Sequence, residues 1–225
     1  MRRRDLIGGL MLAATGVPGL AWAGAMKSVS LDKAFPFLGA ILAYPAAKRS
    51  RFYLAFVARR GAKPAPDFRA TIVTPGGQRT PLMLDRDAQV VRLPTLAELH
   101  GNCTLEWDEA AGDVKLGPEL RPTAPAATHV DPADLNLSLI QANAAAASIA
   151  GAMSFAIPKF DTVYFPGSGG GQTLFSGGRA APLPITMNKV VGPMPYFTPS
   201  ASAGARDVVL AKAPSRMLIG PHPKT

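Results

Sequence analysis

GGQRTPLML at 76–84 returns as GGRAAPLPI at 177–185, an offset of 101 residues. A self-similar period constrains a fold more than composition does, because a repeated unit must solve one packing problem twice. At the same offset RFYLAFVAR (51–59) lies against AMSFAIPKF (152–160), aligning Leu54-Ala55-Phe56 with Phe155-Ala156-Ile157. After a seven-residue gap, Asp113-Val114-Lys115-Leu116 matches Asp207-Val208-Val209-Leu210. Three blocks in one order point to duplicated units of about 100 residues. The glycines of the first block hold register between copies, whereas Arg79 and Arg179 are displaced by one place. A turn needs its glycines in fixed positions and an anion site needs its charge fixed too. The stretch TPGGQRTPLML (74–84) is therefore read as a strand-connecting turn.

The local patterns around these blocks are mostly those of strands. Phe52, Leu54 and Phe56 alternate onto one face of 51–60, and Phe68, Ala70 and Ile72 do so in 68–74. Short strands are expected at 81–84 and 89–93, and a hairpin of 103–108 with 113–116 closed by 109–112. No helix is expected among these six strands. Residues 121–128, RPTAPAAT, read as a Pro/Ala linker. A helix then starts at Asp131, a natural N-cap followed by Pro132 and Asp134, and ends at Gly151. Its stripe is Leu135, Leu139, Ala142, Ala146 and Ile149. Strands are expected at 153–157, 162–165, 172–175, 184–187, 207–210 and 216–219, with 192–204 a long loop. In the first copy Pro36 and Pro45 forbid a long helix, leaving a short one over 36–43.

These readings combine into a β-rich α+β fold, each unit a helix packed on antiparallel strands. The boundaries are 24–123 for the first unit, with 24–33 a flexible leader, 124–130 for the linker and 131–225 for the second unit. The alternative is an N-terminal β-sandwich followed by a small α+β domain.

Residues 1–23 read as a cleavable export signal. Arg2, Arg3 and Arg4 form a basic start, Leu6–Leu20 is apolar, and Ala21-Trp22-Ala23 supplies the small-x-small cleavage pattern. The apolar run is about 15 residues, shorter than a membrane span. Arg3-Arg4-Asp5-Leu6-Ile7 resembles the twin-arginine signal. No transmembrane segment is expected after cleavage. The whole chain carries +9, and loss of 1–23 leaves +7. A basic exported chain meets anionic lipids and acidic polymers, not nucleic acid. Its single cysteine, Cys103, excludes an internal disulfide.

Six cations, Lys48, Arg49, Arg51, Arg59, Arg60 and Lys63, flank one strand and form the candidate anion-binding surface. Catalytic constellations are weak by comparison. His100 and Cys103 form half a zinc site at most, and no metal is expected. Ser168 in PGSGG fails the G-x-S-x-G elbow and reads as a hairpin tip. Glu106, Asp108 and Glu109 bracket Trp107, but alternation puts the acids on a wet face and Trp107 in the core. The glycine runs 76–77, 167–171 and 177–178 lead into proline-containing strands rather than helices, so no phosphate-bearing cofactor is expected. The expectation is an exported, periplasmic, non-enzymatic envelope protein that binds an anionic envelope component or another envelope protein. The alternatives are a periplasmic enzyme with a site between the units and an assembly factor acting through 48–63.

Overall fold

The computed structural model describes residues 25–151, 158–189 and 191–223. The expected export signal (1–23) and the expected strand at 153–157 lie outside the described residues. The first half runs β1 (Met26–Ser30), α1 (Leu31–Ala34), α2 (Leu38–Ala43), β2 (Phe52–Arg60), β3 (Lys63–Pro64), β4 (Thr71–Val73) and β5 (Arg79–Pro81). It continues with α3 (Leu96–His100), β6 (Thr104–Asp108) and β7 (Val114–Pro122). The second half runs β8 (His129–Val130), α4 (Pro132–Ala150), β9 (Thr162–Tyr164), β10 (Gly171–Phe175) and β11 (Ala180–Pro182). It closes with β12 (Ile185–Asn188), β13 (Gly192–Phe197), β14 (Ala205–Leu210) and β15 (Leu218–Gly220). The fold is mixed α+β and rich in strands, as expected.

Two of its sheets have the strand orders β1-β6-β4-β5 and β11-β10-β14-β8. In each, a hairpin lies beside a third strand, and the third strand beside the strand that opens its half. The hairpins share one register: Thr71 faces Pro81 in the first and Gln172 faces Pro182 in the second. Gly77 (φ 80°) and its counterpart Gly178 (φ 81°) sit in the connecting turns, in the left-handed conformation that side chains with a Cβ resist. The echo at 76–84 and 177–185 is thus a turn in both places.

The other two sheets are β3-β2-β7 and β12-β13-β9-β15. β2 and β7 pair over nine positions, from Phe52 opposite Pro122 to Arg60 opposite Val114. Alternation sends Phe52, Leu54 and Phe56 to the core. Phe56 meets Phe35 edge-on, with ring centroids 4.9 Å apart. Full burial of one such ring contributes about 2–3 kcal/mol. β15 lies beside β7, so these two sheets meet along those strands. α4 packs on strands of both halves, and the buried residues of both form one contiguous cluster. Asp131 caps α4 by accepting from the Ala133 N–H, and Leu135, Leu139, Ala142 and Ala145 are its buried stripe. Among the described residues no helix is long and apolar enough to cross a membrane.

Several local expectations fail for tertiary reasons. The expected leader contains β1, whose polar sequence MKSVS becomes a strand because all five residues pair with β6. Residues 103–108 and 113–116 do not form a hairpin. Asp108 caps a short turn at Glu109–Ala111, Gly112 reverses the chain at φ 77°, and β7 departs to β2. β14 pairs with β10 as β6 pairs with β4, so Asp207–Leu210 occupies the place of β6 rather than that of 113–116. α3 appears where only strands were expected, stabilised by a reciprocal capping box between Thr95 and Glu98. The linker is partly strand: Arg121 and Pro122 close β7, and His129 and Val130 pair with β14. The expected loop at 192–204 begins as β13, where the Tyr196 N–H donates to the Pro184 carbonyl and the Pro195 carbonyl accepts from Phe165. Ser168 is fully buried and donates to the Phe165 carbonyl, so it is no flexible tip.

Candidate anion-binding site

The six expected cations do not form one patch. β2 separates Lys48, Arg49 and Arg51 from Arg59, Arg60 and Lys63 by about 25 Å, at about 3.3 Å per residue. At its start, Arg51 Nη1 pairs with Asp134 Oδ1 at 2.8 Å, and the Arg51 N–H donates to Gln141 Oε1 at 2.8 Å. That arginine fastens β2 to α4. Arg49 donates to the Tyr44 carbonyl, and Lys48 is exposed in the turn at Ala46–Arg49. At the far end Arg60 pairs with Asp67 at 3.2 Å and also donates to the Ala111 carbonyl. Lys63 stands opposite Arg60 on β3 and is exposed. Exposed pairs of this kind contribute little, because water and salt screen them. Lys48, Arg49 and Lys63 have no carboxylate partner among the described residues.

Arg59 leads elsewhere. Pairing puts Tyr53, Ala55, Val57 and Arg59 on the same sheet face as Lys115, Gly117, Glu119 and Arg121. Arg59 Nη2 reaches Glu119 Oε1 at 2.5 Å. Arg121 Nε and Nη2 bond Oε2 of the same carboxylate, the former at 3.0 Å, and Arg121 Nη1 donates to Gln89 Oε1. Arg216, from the segment entering β15, brings its Nε within 3.3 Å of Oε2 without hydrogen-bond alignment. Three guanidinium groups therefore surround one carboxylate where β7 meets β15. Two guanidinium charges about 6 Å apart repel by about 3 kcal/mol at an effective dielectric of about 20, so Glu119 is what makes their convergence tolerable.

Sequence reasoning reached Arg59 and missed Glu119, Arg121 and Arg216. The alternation Gly117, Glu119, Arg121 was legible in VKLGPELRP, but the prolines around Arg121 read as a linker. Arg216 is distant in the chain and carries no local signal.

Elsewhere the acidic groups near Trp107 are held by local partners. Glu106 pairs with Arg79 at 2.9 Å, and Asp108 Oδ1 accepts from the Ala110 N–H. Trp107 is half-buried and lies edge-on to Phe68 with centroids 6.0 Å apart. It lines two open cavities, one of about 370 Å³ with Lys33, Phe68 and Lys115, the other of about 480 Å³ with Arg69, Met83 and Glu106. Cys103 is buried and His100 exposed, and no group of three His, Cys, Asp or Glu converges among the described residues. Arg92 and the capping contacts of Thr95 hold the Glu98 carboxyl down at about 2, far below its ordinary range. Burial, aided by Asp161 and Tyr196, pushes the Tyr164 phenol up to about 12. No protein-family model, curated protein or solved structure matches this chain.

Proposed function

We propose that this chain is an exported, non-enzymatic binding module of the bacterial cell envelope that docks on an anionic envelope component. The observation that carries this reading is the contrast along β2. Arg51, Arg59 and Arg60 are tied to carboxylates, whereas Lys48, Arg49 and Lys63 keep their charge available at its two ends. A net charge of +7 after removal of 1–23 adds a favourable long-range field. Each basic residue near an anionic surface contributes about 1 kcal/mol. Reversing Lys48, Arg49 and Lys63 to glutamate should lower binding to anionic vesicles by about 100-fold or more. Flotation against zwitterionic and anionic vesicles at low and high salt tests this; equal binding to both lipids, or none at low salt, overturns it.

The two halves are proposed to be duplicated units. The shared strand order, the common hairpin register and the turn glycines at 77 and 178 support this. Export is proposed to follow the twin-arginine route, supported by Arg3-Arg4 and the cleavage pattern ending at Ala23. Residues 1–30 fused to a reporter active only after folded export should carry it out of the cytoplasm. Unchanged export with both arginines replaced by lysine rules that route out.

A further inference from the structure

The group around Glu119 carries three positive charges and one negative, a surplus of two inside the fold. Glu119 and Arg121 have side chains only 9% exposed, whereas Arg216 and Arg59 reach 18% and 25%. The cluster thus has an inner part sealed from water and an outer edge that meets it. Its floor is made of small residues: Ala55, Val57 and Gly117 lie on that face. A Cβ on Gly117 would touch Cδ and Nε of Arg59 at 3.4 Å, so Arg59 passes directly over Gly117 as it crosses β7 towards Glu119.

The donors divide unequally. Arg121 spends Nε, Nη1 and Nη2 on Glu119 and Gln89, and Arg59 spends Nη1 and Nη2 on Ala62 and Glu119. Arg216 makes no hydrogen bond among the described residues. Its Nε is one of two buried side-chain nitrogens without a partner among the described residues, and its two terminal nitrogens are not among them, so these meet solvent. A guanidinium held by charge beside Glu119, with a whole fork of donors unused, is arranged to receive something from outside. Terminal nitrogens held in place beside a carboxylate can give an arriving oxyanion charge-assisted bonds, which are stronger than neutral ones.

We propose that Arg216 and Arg59, backed by Arg121 and aligned by Glu119, form a binding site for a doubly charged oxyanion of the phosphate class. A dianion neutralises the surplus of two, whereas a carboxylate leaves one charge uncompensated. The planar forks of arginine match the tetrahedral edge of a phosphate in two parallel bonds. Glu119 is a positioning residue here, because it holds the guanidinium groups and touches no ligand. The site goes beyond docking through Lys48, Arg49 and Lys63 and does not need it.

The test is calorimetric titration of the exported chain with inorganic phosphate, and separately with glycerol phosphate, at fixed ionic strength set by chloride. Phosphorus NMR line broadening gives a second readout. Saturable binding is expected, weakened by about tenfold or more in Arg216→Gln and only partly in Arg216→Lys. Circular dichroism confirms that each variant is folded; should Arg216→Gln not fold, Arg59→Lys is the variant read, expected to weaken phosphate binding. Stronger binding of glycerol phosphate than of phosphate assigns the site to a phosphomonoester headgroup, and the reverse assigns it to the free anion. Equal binding in wild type and variants, or no saturation beyond the effect of chloride, overturns the proposal. Lys48→Glu with Arg49→Glu should leave phosphate binding unchanged while weakening vesicle binding, which separates the two sites.

Discussion

The sheet β5-β4-β6-β1 and the sheet β11-β10-β14-β8 arrange their strands alike and furnish them differently. Their hairpin turns share a left-handed glycine, Gly77 in one and Gly178 in the other. Beyond the turns the charges part company. Arg79 pairs with Glu106 on the neighbouring β6, while Arg179 stacks on the ring of Phe175 at 3.7 Å. Opposite Thr71 on β4 stands Glu106, and opposite Gln172 on β10 stands Val209. The same divergence marks the meeting of the other two sheets, where β7 supplies Glu119 and Arg121 and β15 supplies Leu218, Ile219 and Gly220. Strand pairing and turn geometry constrain the backbone closely and leave outward side chains free to take up separate roles.

The largest effect expected from this comparison lies in the core. Phe56 and Phe165 are both fully buried, on β2 and just after β9. Phe56→Ala and Phe165→Ala should each cost about 3–5 kcal/mol in urea unfolding. A loss below about 1 kcal/mol for either would show that the two halves do not share one kind of core. Next comes Glu119→Gln, which leaves three guanidinium groups without their carboxylate and should cost about 3 kcal/mol. Added sulfate should recover part of that loss and should stabilise Glu119→Gln more than Leu218→Ala, in which Glu119 still neutralises one of the three guanidinium charges. A sulfate effect equal in both variants breaks the contrast between β7 and β15.

Helix caps give a smaller, pH-dependent effect. Glu98→Gln, in α3 of the first half, and Asp131→Ala, at the start of α4, should each cost about 1 kcal/mol at neutral pH. Glu98 has its carboxyl depressed to about 2 from the ordinary 4.5, so its stabilisation is complete above 4.5 and fades as pH falls through 2. The difference between wild type and Glu98→Gln should therefore shrink steadily between those values, and a difference constant with pH contradicts the assignment. The smallest pair is Gly77→Ala and Gly178→Ala. Open space surrounds both positions, so only backbone strain counts, about 1 kcal/mol in each. Unequal losses in thermal unfolding would mark the turns as unlike despite their matching φ.

Local chemistry made a large part of the fold legible. The alternation of 52–56, the Asp131-Pro132 start of α4 and the glycine turns all act within a few residues, and each lies where expected. What stayed hidden depended on partners far along the chain. MKSVS has no strand pattern until β6 lies beside it, and GPMPYF reads as loop until β9 and β12 flank it. The six cations around β2 were visible, but not that the strand would hold them apart or that three of them would meet carboxylates from elsewhere.

By itself the sequence determined the class of fold, the strand-rich halves, the long capped helix and the turns that repeat. Those follow from backbone preference and side-chain periodicity, which act locally. Tertiary structure alone decided which charges meet. Arg216 approaches Glu119 only because β15 comes to lie beside β7, and no spacing along the chain encodes that contact. Electrostatic partnership depends on distance through space, so it is settled when the halves pack and not before.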